Sequence, residues 1–146
     1  MAASRSLVWL IERNADLLTR NWLAVVRRDP DTPTFHNFDE RELYGRAFEV
    51  YSELGKWISY QTNKQQIATH YTALGFARRR EGFALSEVLK AFLIIRRVLW
   101  HKVEEDGLLD TALDLRMALE LNNRVVLFFD RAMFYVARGY EMAARG

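Results

Sequence analysis

The chain has no cysteine, and that removes disulfides and thiolate metal sites together. Its two prolines, Pro30 and Pro33, both fall in "RDPDTPTFHNFD", so a single stretch of the 146 residues reads as a linker. Long apolar runs are missing as well. "VVLFF" is cut off by Asp130 and Arg131, and the run before Glu12 and Arg13 is too short for a signal peptide. Neither approaches the roughly 20 apolar residues of a membrane helix. Nor does charge of one sign dominate: Lys+Arg is 21 against Asp+Glu 19, less positive than a dedicated nucleic-acid binder. The sequence contains neither a Gly-x-Ser-x-Gly elbow nor a glycine-rich phosphate loop. These absences predict a soluble, cytoplasmic protein without catalytic residues, cofactor or metal, and with no membrane or nucleic-acid partner.

What is present is apolar and helical. Half the residues are hydrophobic and 13% are aromatic, ample for one core in one domain spanning 1–146. From Ser4 to about Arg28 apolar residues recur close to the helical spacing, through Leu7, Leu10/Ile11, Leu17/Leu18, Leu23 and Val25/Val26. A second helix starts at Asp39, placed to cap it with Glu42 three residues on, and runs to Ile58. Polar "SYQTNKQQ" marks a turn before a third helix, about Gln65 to Glu81, which Gly82 suits as a C-terminal cap. A fourth runs from about Leu85 to Glu105 and stops at Asp106-Gly107. The fifth runs from about Asp110 towards Arg145. The expectation is all-α: about five helices in one compact bundle.

The fourth helix carries apolar residues over most of its circumference. Glu87, Lys90, Arg97, His101 and Glu104 share one narrow polar side. Arg96 falls inside the apolar arc beside Leu89 and Phe92. Three readings fit it: a packed stem with its head in water, a buried pair with a carboxylate, or a ligand-facing arginine. The histidines make poor haem or metal ligands. His36 lies in the proline loop, His101 sits on the polar side, and His70 is only near an apolar face. Arg78, Arg79 and Arg80 point about 100° apart on a helix and form no single stripe for a phosphate backbone. They suit a solvated helix end, where cations oppose the dipole.

The run "RRREGFALSEVLKAFLIIRRVLW" resembles the central signature of the RsbRD-type N-terminal domain, the RsbT co-antagonist N-terminal-like sensory module of bacterial signalling proteins. The family pattern is an arginine, a short gap, Gly-Phe, a small residue and Leu, then an acidic residue opening an apolar helix with a basic position. Here Arg78 or Arg79, Gly82, Phe83, Ala84, Leu85, Glu87 and Arg96 or Arg97 fill it. Trp22 in "RNWLAVV" and the last helix, ending in "FDRAMFYVARGYE", agree in outline. The resemblance covers most of the chain. It implies a non-catalytic input domain of the kind found ahead of histidine kinases of two-component systems and STAS-type regulators, with a possible globin-like fold lacking haem. It brings no catalytic residues. The alternative is a stand-alone helical adaptor or dimerisation module without a ligand.

Three expectations about sites follow. Gly82 and Phe83 form a structural junction, the glycine at positive φ and the phenylalanine in the core. An apolar pocket for a small ligand is lined by Tyr51, Phe92, Ile95, Phe128 or Phe129, with Arg96 as a ligand-facing candidate. The last helix has a wide apolar arc through Val125, Phe128, Phe129, Ala132, Met133, Tyr135 and Val136, and Leu127 and Phe134 lie on its polar side. Two apolar faces need two partners. The expected arrangement is a homodimer through the fourth or fifth helix, which passes a shift through Tyr140 and Arg145 to a downstream signalling domain or partner protein.

Overall fold

The structure, a computed structural model, describes residues 2–59, 62–106 and 111–145. Eight helices form among the described residues, and no strand does. The all-α expectation holds, while the expected count of five does not. Two of the expected helices are broken, and the proline loop contains a helical turn of its own.

The first break is at Asn14, between α1 (Ala2–Arg13) and α2 (Ala15–Val26). Asn14 has φ −98° and ψ 20°, and its side-chain Nδ2 donates to the Leu10 carbonyl at 2.8 Å. An asparagine that bonds its own backbone in this way competes with helix continuation. The linker then contributes α3 (Thr34–Asn37) behind Pro33, and its Phe35 is buried against Phe83, with centroids 4.6 Å apart. Asp39 caps α4 (Glu40–Ser52), accepting from the amides of Arg41 and Glu42. The second break is at Glu53, before α5 (Leu54–Trp57). There the Gly55 amide donates to Glu12 Oε2 at 2.9 Å. A β-carbon on Gly55 would lie 3.1 Å from both Glu12 and Val8. The sequence pattern carries the apolar period straight through, but this close seat on α1 turns the chain.

Asn63 and Gln66 exchange side-chain and backbone bonds, both 2.9 Å, to open α6 (Lys64–Arg80). Its end is the expected glycine cap. Gly82 has φ 95°, its amide reaches Arg79 and that of Phe83 reaches Arg78, the paired bonds of a Schellman turn. Then come α7 (Leu85–Glu105) and α8 (Ala112–Arg145). The expected turn at Gly107 and the start near Asp110 fall outside the described residues. No helix among them is long and apolar enough to cross a membrane.

The helices sort into two groups. One is α6 lying along α8, the most extensive pairing in the molecule; the other is α2 with α4 and α7. α1 lies across both. α6 and α8 approach without side chains between them: a β-carbon on Gly75 would sit 2.1 Å from the Val136 carbonyl oxygen, and one on Gly139 would sit 2.2 Å from that of Thr72. The second group is fastened to the inside of α7. Trp22 Nε1 donates to the Ala91 carbonyl at 3.0 Å, and the Tyr51 hydroxyl donates to that of Ile95 at 2.8 Å.

Candidate functional site

α6 is committed to α8 and α4 to α2, so α4 and α6 barely touch each other. Between them, floored by α7, lies a cleft of about 470 Å³, within the usual size of ligand sites. Tyr71 and Leu74 of α6 form one wall and Leu43 and Val50 of α4 the other, over Phe92 and Ile95 of α7.

The polar groups gather at its two ends. At one end stands Trp57, 5% exposed, with His70 at 4.8 Å, Tyr71 at 5.3 Å and Phe128 at 5.7 Å between ring centroids. Its indole Nε1 is buried and has no hydrogen-bond partner among the described residues. Burial pulls the His70 imidazole below its ordinary value of 6.5, with Glu49 opposing the shift, so the ring stands neutral beside Trp57 near pH 7. At the other end Arg46 grips Glu81 with both Nη groups, at 3.0 and 2.6 Å. Arg78 donates to the same carboxylate at 3.2 Å. Desolvation lowers the Arg78 pKa, and the Arg46 charge beside it adds to that. Glu42 stands 3.7 Å from Arg46 and is largely exposed.

Of the residues expected to line a pocket, Phe92 and Ile95 do so. Phe128 and Phe129 stand behind the wall in an aromatic cluster with Tyr71 and Phe92. Tyr51 is wholly buried, with its hydroxyl spent on Ile95 and its pKa raised well above 10.0 by burial. Arg96 is half-buried, lies outside the cleft and has no ion pair among the described residues. Trp57, His70 and Arg46 were missed. Nothing in a helical period marks a side chain as lining a gap between two helices.

The junction is built as expected, with additions. Phe83 is 3% exposed and packs on Phe35 and Phe38. Its carbonyl accepts from the Tyr140 hydroxyl at 2.8 Å, and burial pushes Tyr140 up to about 12. Tyr140, expected on the output path, is therefore fastened inside to the turn between α6 and α7. Glu87 corrects the helical wheel. It is 4% exposed, not on the polar side, because α3 delivers two donors to it, the Thr34 amide at 2.6 Å and the Thr34 hydroxyl at 2.7 Å, and the N-cap residue of α7 adds the Ala84 amide at 3.0 Å. On α8, Val125, Phe128, Phe129, Ala132 and Val136 are buried, while Leu127 and Phe134 are 50% and 56% exposed.

These features define an all-α domain organised around an aromatic cleft, with a long last helix locked to one cleft wall. The family described as the RsbT co-antagonist protein RsbRD N-terminal domain matches residues 16–146. The chain belongs to that family, whose description is that of an N-terminal regulatory domain. No curated protein and no solved structure matches it.

Proposed function

We propose that this domain is the non-catalytic input module of a bacterial signalling protein, taking a small ligand in the cleft and relaying its presence through α8. One observation carries the reading. The cleft wall that α6 supplies rests backbone to backbone on α8 at Gly75 and Gly139, so a ligand that moves α6 carries α8 with it. Tyr140 adds a second tie, from α8 to the turn that α6 feeds. The recipient is a downstream signalling domain, in a histidine kinase or a STAS-type regulator, or a separate partner protein. Hydrogen exchange of the domain saturated with an anilinonaphthalene sulfonate dye tests the relay. Protection should rise in α6 and also in the last turns of α8. A rise confined to the cleft wall would refute the relay, and no change anywhere would refute the cleft as a ligand site.

The second part of the reading is a homodimer through α8. Leu127 and Phe134 lie two turns apart on one exposed line. Asp130, Arg131, Arg138 and Glu141 border it with both signs, which lets a second copy of the same helix meet opposite charges across a two-fold axis. Phe134→Glu or Leu127→Glu should give a monomer. A wild type that sediments as a monomer at tens of micromolar would refute this part alone.

A further inference from the structure

The cleft stays open because small side chains line both of its walls. On α6 the exposed Ala73 and Ala77 lie one turn apart, and on α4 Ala47 lines the opposite wall. The backbone of the floor offers a ligand little, since the Ala91 carbonyl is spent on the Trp22 indole and the Ile95 carbonyl on the Tyr51 hydroxyl. What remains to select a ligand is charge, and the charges cancel. Arg46, Arg78 and Glu49 line the cleft, and Glu81 is shared by both arginines, which makes two of each sign.

An anion entering the cleft would have to take the arginines from Glu81, trading one pair for another and stranding that carboxylate. A cation would meet the same two arginines, with only Glu49 on the exposed rim to offset them. The other titratable groups of the lining are neutral near pH 7. Burial lowers His70 and holds the Tyr71 phenol far above its ordinary value of 10.0. We propose that the cleft takes an uncharged, largely apolar molecule, selected by apolar walls and balanced charges. A charge carried by such a ligand stays in water at the open side and weakens its binding. This inference rests on the cleft being a ligand site and adds the class of ligand.

Fluorescence titration with two dyes of one ring skeleton tests it: anilinonaphthalene sulfonate, and N-phenyl-1-naphthylamine, which has the same rings without the sulfonate. The uncharged dye should bind tighter by about tenfold or more, because drawing a charge towards an apolar cleft is costly. Glu81→Gln leaves one positive charge in excess, so there the sulfonate should gain about fivefold while the uncharged dye keeps its affinity. Ala73→Phe fills the gap from an exposed position and should abolish binding of both. Thermal melts confirm that each variant folds. Equal affinity for the two dyes, or a tighter sulfonate, would overturn the proposed class while leaving a ligand cleft in place. So would a sulfonate affinity untouched by Glu81→Gln; if that variant does not fold, the two dyes on the wild type decide. Binding that survives Ala73→Phe would lie elsewhere and overturn the cleft itself as a ligand site. Binding of neither dye would overturn both, and binding of an apolar helical peptide instead would make the cleft a protein-docking groove.

Discussion

Replacing Gly75 or Gly139 by alanine adds one methyl group at the point where α6 crosses α8. The added carbon would meet the Val136 carbonyl oxygen at 2.1 Å from Gly75, or the Thr72 oxygen at 2.2 Å and the Phe76 amide nitrogen at 2.7 Å from Gly139. Ordinary heavy-atom contact needs about 3.5 Å, so the helices must part by about 1.3–1.4 Å along their tightest stretch. Every obstructing atom is backbone, and no change of rotamer relieves it. Overpacking of that kind sits at the upper end of its range, about 3 kcal/mol. Alanine returns about 1 kcal/mol through its better helix propensity. The net loss, about 2 kcal/mol, corresponds to a melting point lower by about 6 °C for a domain of this size. Gly45, inside α4, is the internal control, because a β-carbon there meets nothing within 4 Å. Gly45→Ala should raise stability by about 0.5–1 kcal/mol. Thermal unfolding followed by circular dichroism compares the three. If Gly75→Ala and Gly139→Ala melt at or above the wild type, as Gly45→Ala should, the close crossing is refuted, and with it the rigid coupling of α6 to α8.

At the junction, Phe83→Ala should cost about 3–5 kcal/mol by leaving a cavity between Phe35 and Phe38, and Gly82→Val should cost about 1–3 kcal/mol through backbone strain alone; chemical denaturation measures both. Glu87→Ala should lose about 3 kcal/mol, since it strands the two Thr34 donors and the Ala84 amide, and Glu87→Gln should recover part of that in the same assay. The His70 pKa is lowered on folding, so the unfolded chain binds more protons there between the folded value and 6.5. That contribution to stability is full above pH 6.5 and is lost as the pH falls through the folded pKa. Urea midpoints should therefore fall more steeply with acid in the wild type than in His70→Gln, and parallel curves would show that the ring titrates as in water.

What the sequence revealed and what it hid differ by range. Local bonds were legible: the Asp39 cap, the Gly82 turn and the buried Phe83 are each decided within a few residues of themselves. The break at Asn14 was missed because the apolar period continues across it, and the deciding bond, from its own amide side chain to Leu10, competes with the helix instead of announcing its end. The break at Glu53 depends on Glu12, far away in sequence. Glu87 was misplaced on its wheel because a wheel knows nothing of Thr34. The cleft was half legible: Phe92 and Ile95 sit on the inner face of α7 and line it. Trp57, His70 and Arg46 reach it only because α4 and α6 are each held by a different neighbour. Gly75 and Gly139 were the available signal, since a glycine inside a helix costs stability and so points to a close approach.

The two hydrogen bonds from Trp22 and Tyr51 into α7 have a consequence for how the molecule opens. Ala91 and Ile95 are one turn apart, so both bonds fall on one stripe of the helix and hold it against rolling as well as sliding. Each of these carbonyls also receives the helix amide four residues on, from Ile95 and Leu99. Releasing either amide to solvent means pulling an indole or a phenol out of the core in the same event. The amides of Ile95 and Leu99 should therefore exchange with deuterium only when the whole domain unfolds. Their exchange rate gives the global stability directly, against which the looser openings of every other segment can be measured.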